Sequence, residues 1–273
     1  MSKENTAVTK KKIKRCKEDV VFDAACFIIL TLVLFVVAYP LYWVIISSIS
    51  APSAVSSGKV LLHPIGFTLK GYAEVFKNDQ VMRGFLNSLI ITFCGVMVNL
   101  IVTLPTSYAL SRSNFSGKKP ITIFYLITMF FGGGLIPTYL VIQRLQMLNT
   151  IWALILPGCL SVYNMIVART FFKSNISEEL YEAAEIDGCT QARFFFQIAL
   201  PLSKAIIAIL VLYYGVGHWN SYFSALVYIS DKAKYPLQLV LRNILITNQT
   251  ALSQTATTAA ARAALQEKQQ LID

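Results

Sequence analysis

Long stretches without a charged residue divide the chain into apolar and polar parts. Each stretch is longer than the roughly 20 apolar residues that an α-helix needs to cross the hydrocarbon core of a bilayer. A charged side chain at the bilayer centre costs about 2.5–3.5 kcal/mol on insertion scales, so long charge-free stretches are typical of membrane spans. The pattern predicts an all-α polytopic membrane protein with five readable spans. The charge-free stretches are 24–58, 84–111, 120–143, 145–168 and 205–230.

The predicted spans differ in the segments that join them. The first covers residues 20–49, and Pro40 is expected to bend it. An extracytoplasmic segment, 50–84, follows and is rich in Ser, Pro and Gly. The core of the protein is expected at 85–230, and its four spans are placed at 85–110, 121–141, 151–168 and 202–229.

A run of glycines interrupts the third span. Gly132, Gly133 and Gly134 are followed by Pro137, and this combination weakens a helix. Irregular backbone at membrane depth is tolerated only against protein or a water-filled cavity. A hinge and simple close packing of helices are both open interpretations of this run.

The distribution of cations predicts the orientation. The formal net charge is +10, and the positive-inside rule places Lys and Arg in the cytoplasm. Residues 1–19 are therefore expected to form a basic cytoplasmic tail close to anionic lipid. Nucleic acid is the weaker interpretation of the charge, because the tail has no aromatic residue among its cations. The cations expected inside are Lys3, Lys10, Lys11, Lys12, Lys14, Arg15, Lys17, Arg112, Lys118, Lys119, Arg169, Lys173, Arg193 and Lys204, against Lys59, Lys70, Lys77, Arg83 and Arg144 outside.

The segment between the fourth and fifth spans, 174–201, carries the most informative pattern. Glu178 and Glu179 suit the first turn of a helix, where the macrodipole favours acidic residues. Gly188 is placed to end that helix in the left-handed conformation. Pro201 suits the first turn of the fifth span. Ala183 and its neighbour give the first helix a narrow face that the cleft of another protein can grip, so the segment is expected to transmit motion from a soluble partner.

This segment resembles the EAA loop of ABC importer permeases, with the pattern E-A-A, three residues, G, nine residues, I-x-L-P. Asp187 belongs to the same loop. The chain also resembles carbohydrate-uptake permeases in three further segments, 132–139, 168–172 and 217–222. Within that family it is similar to the branch of lipoprotein-associated and YtcP-type permeases, which is related to the smaller subunit of the maltose permease. The residues that match the EAA-loop pattern are Glu182, Ala183, Ala184, Gly188, Ile198, Leu200 and Pro201.

The resemblance implies the fold of a type I ABC importer transmembrane domain in the bacterial plasma membrane. It implies a heterodimer with a second permease subunit, two ATPase subunits and an extracytoplasmic solute-binding protein that delivers an oligosaccharide. The EAA loop is expected to dock on the ATPase. Members of the family usually have six spans, whereas residues 231–273 are polar and contain no sixth span. The chain is therefore expected to be truncated before the last span.

The sequence predicts a transport protein without catalytic residues, metal or cofactor of its own. It contains no G-x-x-x-x-G-K-[ST] pattern, so ATP is expected to bind to the partner ATPase. The five cysteines and two histidines show no metal-ligand spacing. An ion-coupled secondary transporter is the alternative function, disfavoured because the spans contain no carboxylate embedded near mid-bilayer.

Polar and aromatic residues in the fifth span are candidates for the substrate pathway. Trp and Tyr offer flat faces to sugar rings, and Asn both donates and accepts hydrogen bonds. Polar packing between helices is the other interpretation, because such contacts are common in membrane bundles. The candidates are His218, Trp219, Asn220 and Tyr222.

Overall fold

The computed structural model describes residues 17–247 and residue 250. It divides the chain into two compact units, Met1–Lys77 and Asn78–Asp273, each of which is described by itself. Most of the predicted basic tail and residues 251–273 lie outside the described residues. Every regular element in the described ranges is a helix.

The first unit is built on one long helix. Helix α1, Lys17–Ser48, continues through Pro40 without interruption. It matches the predicted first span, and the 18-residue apolar window within it has no buried residue. Helix α2, Pro52–Ser56, and helix α3, Lys70–Lys77, follow. The segment between them folds back on the end of α1, where Ile46, Ala54 and Val60 form a small core.

The second unit contains one long uninterrupted span and three broken ones. Helix α4, Asp79–Ser111, begins before the predicted second span and includes it. The helices that follow are α5 Lys118–Phe130, α6 Leu135–Arg144, α7 Trp152–Gly158, α8 Val162–Asn175, α9 Glu178–Ile186, α10 Gln191–Leu202, α11 Lys204–Trp219, α12 Tyr222–Tyr228 and α13 Leu237–Thr247.

Three of the predicted spans in the second unit are bent or broken, and one of the breaks coincides with the glycine run of the third span. Helices α5 and α6 meet at 114°, α7 and α8 at 52°, and α10 and α11 at 80°. The predicted fifth span, 202–229, is divided twice, at Ser203 and again at Asn220–Ser221. Pro201 lies at the end of α10 rather than in the first turn of α11. Counting each bent pair as one span gives up to five spans.

One buried stripe, made of small and polar residues apart from Ile91, runs along α4. Its members recur mostly every fourth position, so each lies beside the next and the stripe winds gradually around the helix. Because these side chains are small, neighbouring helices approach α4 closely, as in other membrane bundles. The stripe consists of Gly84, Ser88, Ile91, Gly95, Asn99, Thr103, Ser107 and Ser111.

The stripe also satisfies backbone groups that the break between α7 and α8 leaves without helical partners. Asn99 Nδ2 donates to Gly158 O over 2.9 Å. Tyr214 OH lies 2.8 Å from Thr103 Oγ1 and accepts from Ser161 N–H over 3.2 Å. An unpaired backbone group in hydrocarbon costs several kcal/mol, so these side chains allow a broken helix at membrane depth.

Two clusters of buried apolar side chains lie between the helices of the second unit. One joins α4 and α8 to α9, α10 and α11 around the buried side chains of Phe172 and Phe194. The other joins α4, α6 and α7 to α12 and α13 around Ile91 and Leu239. Helix α13 adds an apolar element to the predicted polar segment 231–273, but its 11 residues fall short of a span.

Gly95 is required by the close contact between α4 and α11. A Cβ atom at this position would lie 2.6 Å from Cδ2 of His218, and that ring is held by a hydrogen bond of 2.8 Å between His218 Nε2 and Asn99 Oδ1. We expect Gly95→Ala to cost about 1–3 kcal/mol through overpacking and to lower the thermal unfolding midpoint of the purified protein by several degrees.

Gly215→Ala is the matched control for this prediction. It adds the same methyl group on α11, where the nearest atom, Val96 Cγ2, is 3.9 Å away. The control is expected to leave the midpoint unchanged or slightly raised, since Ala has the higher helix propensity. Equal midpoints for the two variants would contradict the packing described for α4.

Candidate coupling site

Helix α9 projects from the second unit as a short capped element. Ser177 Oγ accepts from Leu180 N–H over 3.3 Å at its amino end. Glu178 and Glu179 occupy its first turn, as predicted. Side-chain capping and acidic residues at this end both stabilise a helix that is too short to be stable on its own.

Gly188 ends α9 in the left-handed conformation, as the sequence predicted. Its φ is +76°. Cys189 N–H donates to Ala184 O and Gly188 N–H donates to Glu185 O, both over 2.9 Å. This pair of bonds is a Schellman motif, and it reverses the chain tightly between α9 and α10.

The two faces of α9 have opposite environments. Tyr181 is buried and Ala184 is half-buried against the cluster that joins α9 to α4, α8 and α10. The opposite face is open to its surroundings, and Ile186 at its end is 86% exposed. An isoleucine with this exposure on a rigid, capped helix is suited to burial by a partner. Four residues of the predicted motif are also exposed here, namely Glu182, Ala183, Asp187 and Gly188.

The second half of the predicted loop packs against the core of the second unit and does not form an exposed surface. Ile198 and Leu200 are half-buried and pack on the same cluster as Ala184. Residues 195–199 form a π-helical turn within α10, with Phe195 and Ala199 buried. Insertions of this kind are frequent at functional positions in helices. The structure thus separates an exposed group of motif residues from a packed group.

Arg112 joins the end of α4 to both helices of the loop. Its guanidinium carbon lies 5.2 Å from the ring centre of Tyr108, 5.4 Å from that of Tyr181 and 6.0 Å from that of Phe194. Its Nε and Nη1 atoms are buried without a conventional hydrogen-bond acceptor. The three rings supply favourable cation–π contacts around these atoms. We call this arrangement the arginine cage.

Polar contacts close the arginine cage on the side of α9. Glu178 Oε2 lies 3.6 Å from Arg112 Nη1, and Glu178 Oε1 accepts from Ser113 N–H over 3.1 Å. Arg112 Nη2 donates to Ile176 O over 3.4 Å. The Arg112 side chain is 12% exposed and that of Glu178 is 43% exposed. Because the pair is partly exposed, it contributes little to stability. The contacts with the rings and the hydrogen bonds to the backbone therefore provide most of the stabilisation between α4 and α9.

The candidate substrate residues of the fifth span separate into two pairs. His218 bonds Asn99, and the ring of Trp219 meets that of Phe85 edge to face at 5.9 Å. Both therefore pack between helices. Asn220 and Tyr222 flank the break after α11, and both are exposed. A role of any of the four in contacting substrate stays a prediction.

The glycine run forms the sharp bend between α5 and α6. Gly134 has a φ of +84°, a conformation that residues with a Cβ rarely adopt. A Cβ at Gly132 or Gly134 would meet no atom within 4 Å, and one at Gly133 would meet only Pro137, at 3.8 Å. Within this chain, backbone geometry requires glycine at Gly134, whereas close packing requires it at none of the three positions. The hinge stays a prediction.

Sequence reasoning missed the arginine cage, the exposure of Ile186 and the α4 stripe. The four-residue spacing of Gly95, Asn99, Thr103 and Ser107 was visible in the sequence and is a known signal for close helix contact. Arg112 carried no comparable signal, because its ring partners are distant in sequence.

The chain is similar to known sugar permeases over most of its length. It is 38% identical over 225 residues to the polygalacturonan/rhamnogalacturonan transport system permease protein YtcP of Bacillus subtilis, covering 82% of this chain and 78% of that protein. It is 39% identical over 226 residues to protein LplC of the same organism, covering 83% and 76%. No protein-family model matches the chain.

The fold agrees with a solved structure of the same class. A chain in the crystal structure of a bacterial ABC transporter involved in the import of the acidic polysaccharide alginate superposes with a TM-score of 0.80 at 28% identity, covering 85% of this chain and 82% of that one. The protein is a membrane permease of an ABC importer. It belongs to the carbohydrate-uptake family of these permeases, which confirms the predicted family and disfavours an ion-coupled transporter.

The arginine cage predicts that Arg112 fixes the position of α9. Lysine keeps the charge but lacks the planar group that stacks on several rings. We expect Arg112→Lys and Arg112→Ala to raise amide hydrogen exchange across residues 176–190 by roughly tenfold, from the loss of about 1–2 kcal/mol of cation–π contact. Mass spectrometry of the purified protein measures this exchange.

Arg193→Ala is the control for the arginine cage. Arg193 lies in the same loop but is exposed, and among the described contacts its side chain bonds only Gln197 Oε1, over 2.9 Å. This substitution is expected to change exchange in 176–190 by less than the Arg112 variants do. Unchanged exchange in Arg112→Ala would show that the cage does not hold α9.

Proposed function

We propose that α9 is the element through which a separate ATPase drives this permease. The observation that carries the proposal is the exposed face of α9, with Ile186 at its end, on a helix whose other face is fixed in the core. A partner that buries Ile186 gains roughly 1.5–3 kcal/mol from this side chain alone. The acidic Glu182 and Asp187 beside it add charges that a cationic rim on the partner can meet.

Motion of α9 has two routes into the membrane helices. The first runs through the arginine cage to the end of α4. The second runs through the Schellman turn into α10, whose Ile198 and Leu200 pack on the common cluster, and then across the bend at Ser203 into α11. A cavity of about 340 Å³ beside Arg112, bordered by Pro105, Phe115 and Phe196, leaves room for the loop to shift.

The complete importer contains other protein subunits in addition to this chain. ATP is bound and hydrolysed by two ATPase subunits, since the chain contains no phosphate-binding loop. A second permease subunit forms a heterodimer with this one, and an extracytoplasmic solute-binding protein delivers the substrate. The support for these partners is membership of the ABC importer family. The amino terminus lies in the cytoplasm, which the positive-inside rule supports.

The transported molecule is an acidic oligosaccharide. Two of the similar proteins are described as transporters of acidic glycans, one of polygalacturonan and rhamnogalacturonan and the other of alginate. In this chain the guanidinium of Arg242 lies 5.5 Å from the ring centre of the exposed Tyr222, beside Asn220 at the break after α11. An aromatic face, an amide and a cation together suit a sugar that bears a carboxylate.

Ile186→Asp tests the proposed docking of α9. A carboxylate at this position cannot be buried in an apolar cleft without a large desolvation cost. We expect the variant to enter the membrane normally but to lose most copurification with the ATPase and most ATP-dependent uptake. Western blotting of membranes, pull-down of the complex and uptake by vesicles with internal ATP measure the three quantities.

Ile186→Leu is the matched control, because it keeps an apolar side chain of the same size at the same place. It is expected to retain copurification and to transport at close to the original rate. Normal uptake by Ile186→Asp would refute the proposed role of α9, whereas loss of membrane insertion by that variant together with normal behaviour of the control would show that Ile186 serves folding instead.

Uptake by cells that express the importer with its partner subunits tests the substrate class. We expect labelled oligogalacturonate to be accumulated and neutral galacto-oligosaccharide of equal length to compete poorly. Arg242→Gln is expected to lower uptake of the acidic sugar severalfold, because the cation that pairs with its carboxylate is removed. Equal transport of neutral and acidic sugars would contradict an acidic substrate without affecting the proposed role of α9.

A further inference from the structure

We infer that residues 60–62 of the first unit lie in the membrane interface and contact lipid. The observation behind this inference is a set of three hydrogen bonds between aromatic side chains of α1 and consecutive carbonyl groups. Trp43 Nε1 donates to Val60 O over 2.9 Å, and Tyr42 OH donates to Leu62 O over 2.6 Å. Tyr39 OH donates to Leu61 O over 3.4 Å. We call residues 60–62 the returning segment.

The depth of these bonds follows from the sequence of α1. Asp23 is the last charged residue before Lys59. A hydrocarbon core that begins directly after Asp23 ends near Trp43, since about 20 helical residues cross it. Trp and Tyr are enriched at this boundary, where an apolar ring with a polar edge is stable. The donors to the returning segment are therefore at the bilayer interface.

The returning segment has the composition of a lipid contact. Leu61 is 60% exposed and Leu62 67% exposed, whereas Val60 between them and the helix is buried. Two adjacent exposed leucines in an extracytoplasmic loop are unfavourable in water. The 18-residue apolar window of α1 is itself unburied, so the leucines extend an apolar surface of the first unit.

Hydrogen bonding agrees with this position. A loop in water obtains partners for its carbonyl groups from the solvent, but a loop at the edge of the hydrocarbon core needs partners from the protein. Three successive carbonyls of the returning segment have such partners. The segment therefore wedges into the leaflet at the carboxyl end of α1, which is the outer leaflet in the predicted orientation.

Fluorescence quenching in nanodiscs that contain the assembled importer tests this inference. The native cysteines are replaced, and the environment-sensitive dye NBD is attached at Leu62→Cys. We expect blue-shifted emission and stronger quenching by lipid with a nitroxide near the headgroup than by aqueous iodide. Phe35→Cys, in the middle of α1, is the control for deep lipid, and the exposed polar position Ser57→Cys is the control for water.

The two other outcomes each overturn the inference. Iodide quenching at residue 62 as strong as at residue 57 would place the returning segment in water. Quenching by neither iodide nor lipid nitroxide would show that protein, such as the second permease subunit, covers the leucines.

Tyr42→Phe gives an independent readout, because it removes the donor to Leu62 O and leaves the ring. In the interface the freed carbonyl has to reach water, so iodide quenching at residue 62 is expected to rise about twofold. No change in quenching would mean that the carbonyl was already hydrated.

Discussion

The close approach of neighbouring helices to the stripe of small and polar residues on α4 is the constraint on which the second unit depends. Lipid is as apolar as leucine, so helices in a bilayer gain little by burying large apolar side chains against one another. They associate where small residues allow backbone contact and where polar side chains find partners. Gly95 admits the His218 ring, Ser107 Oγ donates to Met165 O over 3.0 Å, and Asn99 bonds both a side chain and a backbone group.

The same stripe makes the broken helices possible. A helix that breaks inside a membrane exposes amide and carbonyl groups, and each costs several kcal/mol if it stays unpaired. At the break between α7 and α8, Asn99 and Tyr214 provide the missing bonds. The unbroken helix α4 thus acts as the partner for helices that bend.

At its carboxyl end α4 continues directly into the coupling site. Tyr108 is buried one residue after the stripe position Ser107, and Arg112 follows at the first residue beyond the helix. The arginine cage therefore links the helix that carries the small-residue stripe to α9, the helix proposed to meet the soluble ATPase. In that proposal, a displacement of α9 reaches α4 directly through the side chain of Arg112.

The sequence by itself determined the class of membrane protein, the number of apolar stretches long enough to span a bilayer, and the residues that begin and end α9. These features follow from local chemistry, namely the absence of charge over 20 or more residues, acidic residues in a first turn, and a glycine where the chain must adopt a positive φ. Only the tertiary structure decided that Ile198 and Leu200 pack inward while Ile186 faces outward. It also decided that Arg112 meets three rings and that the fifth span breaks twice. These features depend on contacts between residues far apart in the chain, which no local pattern records.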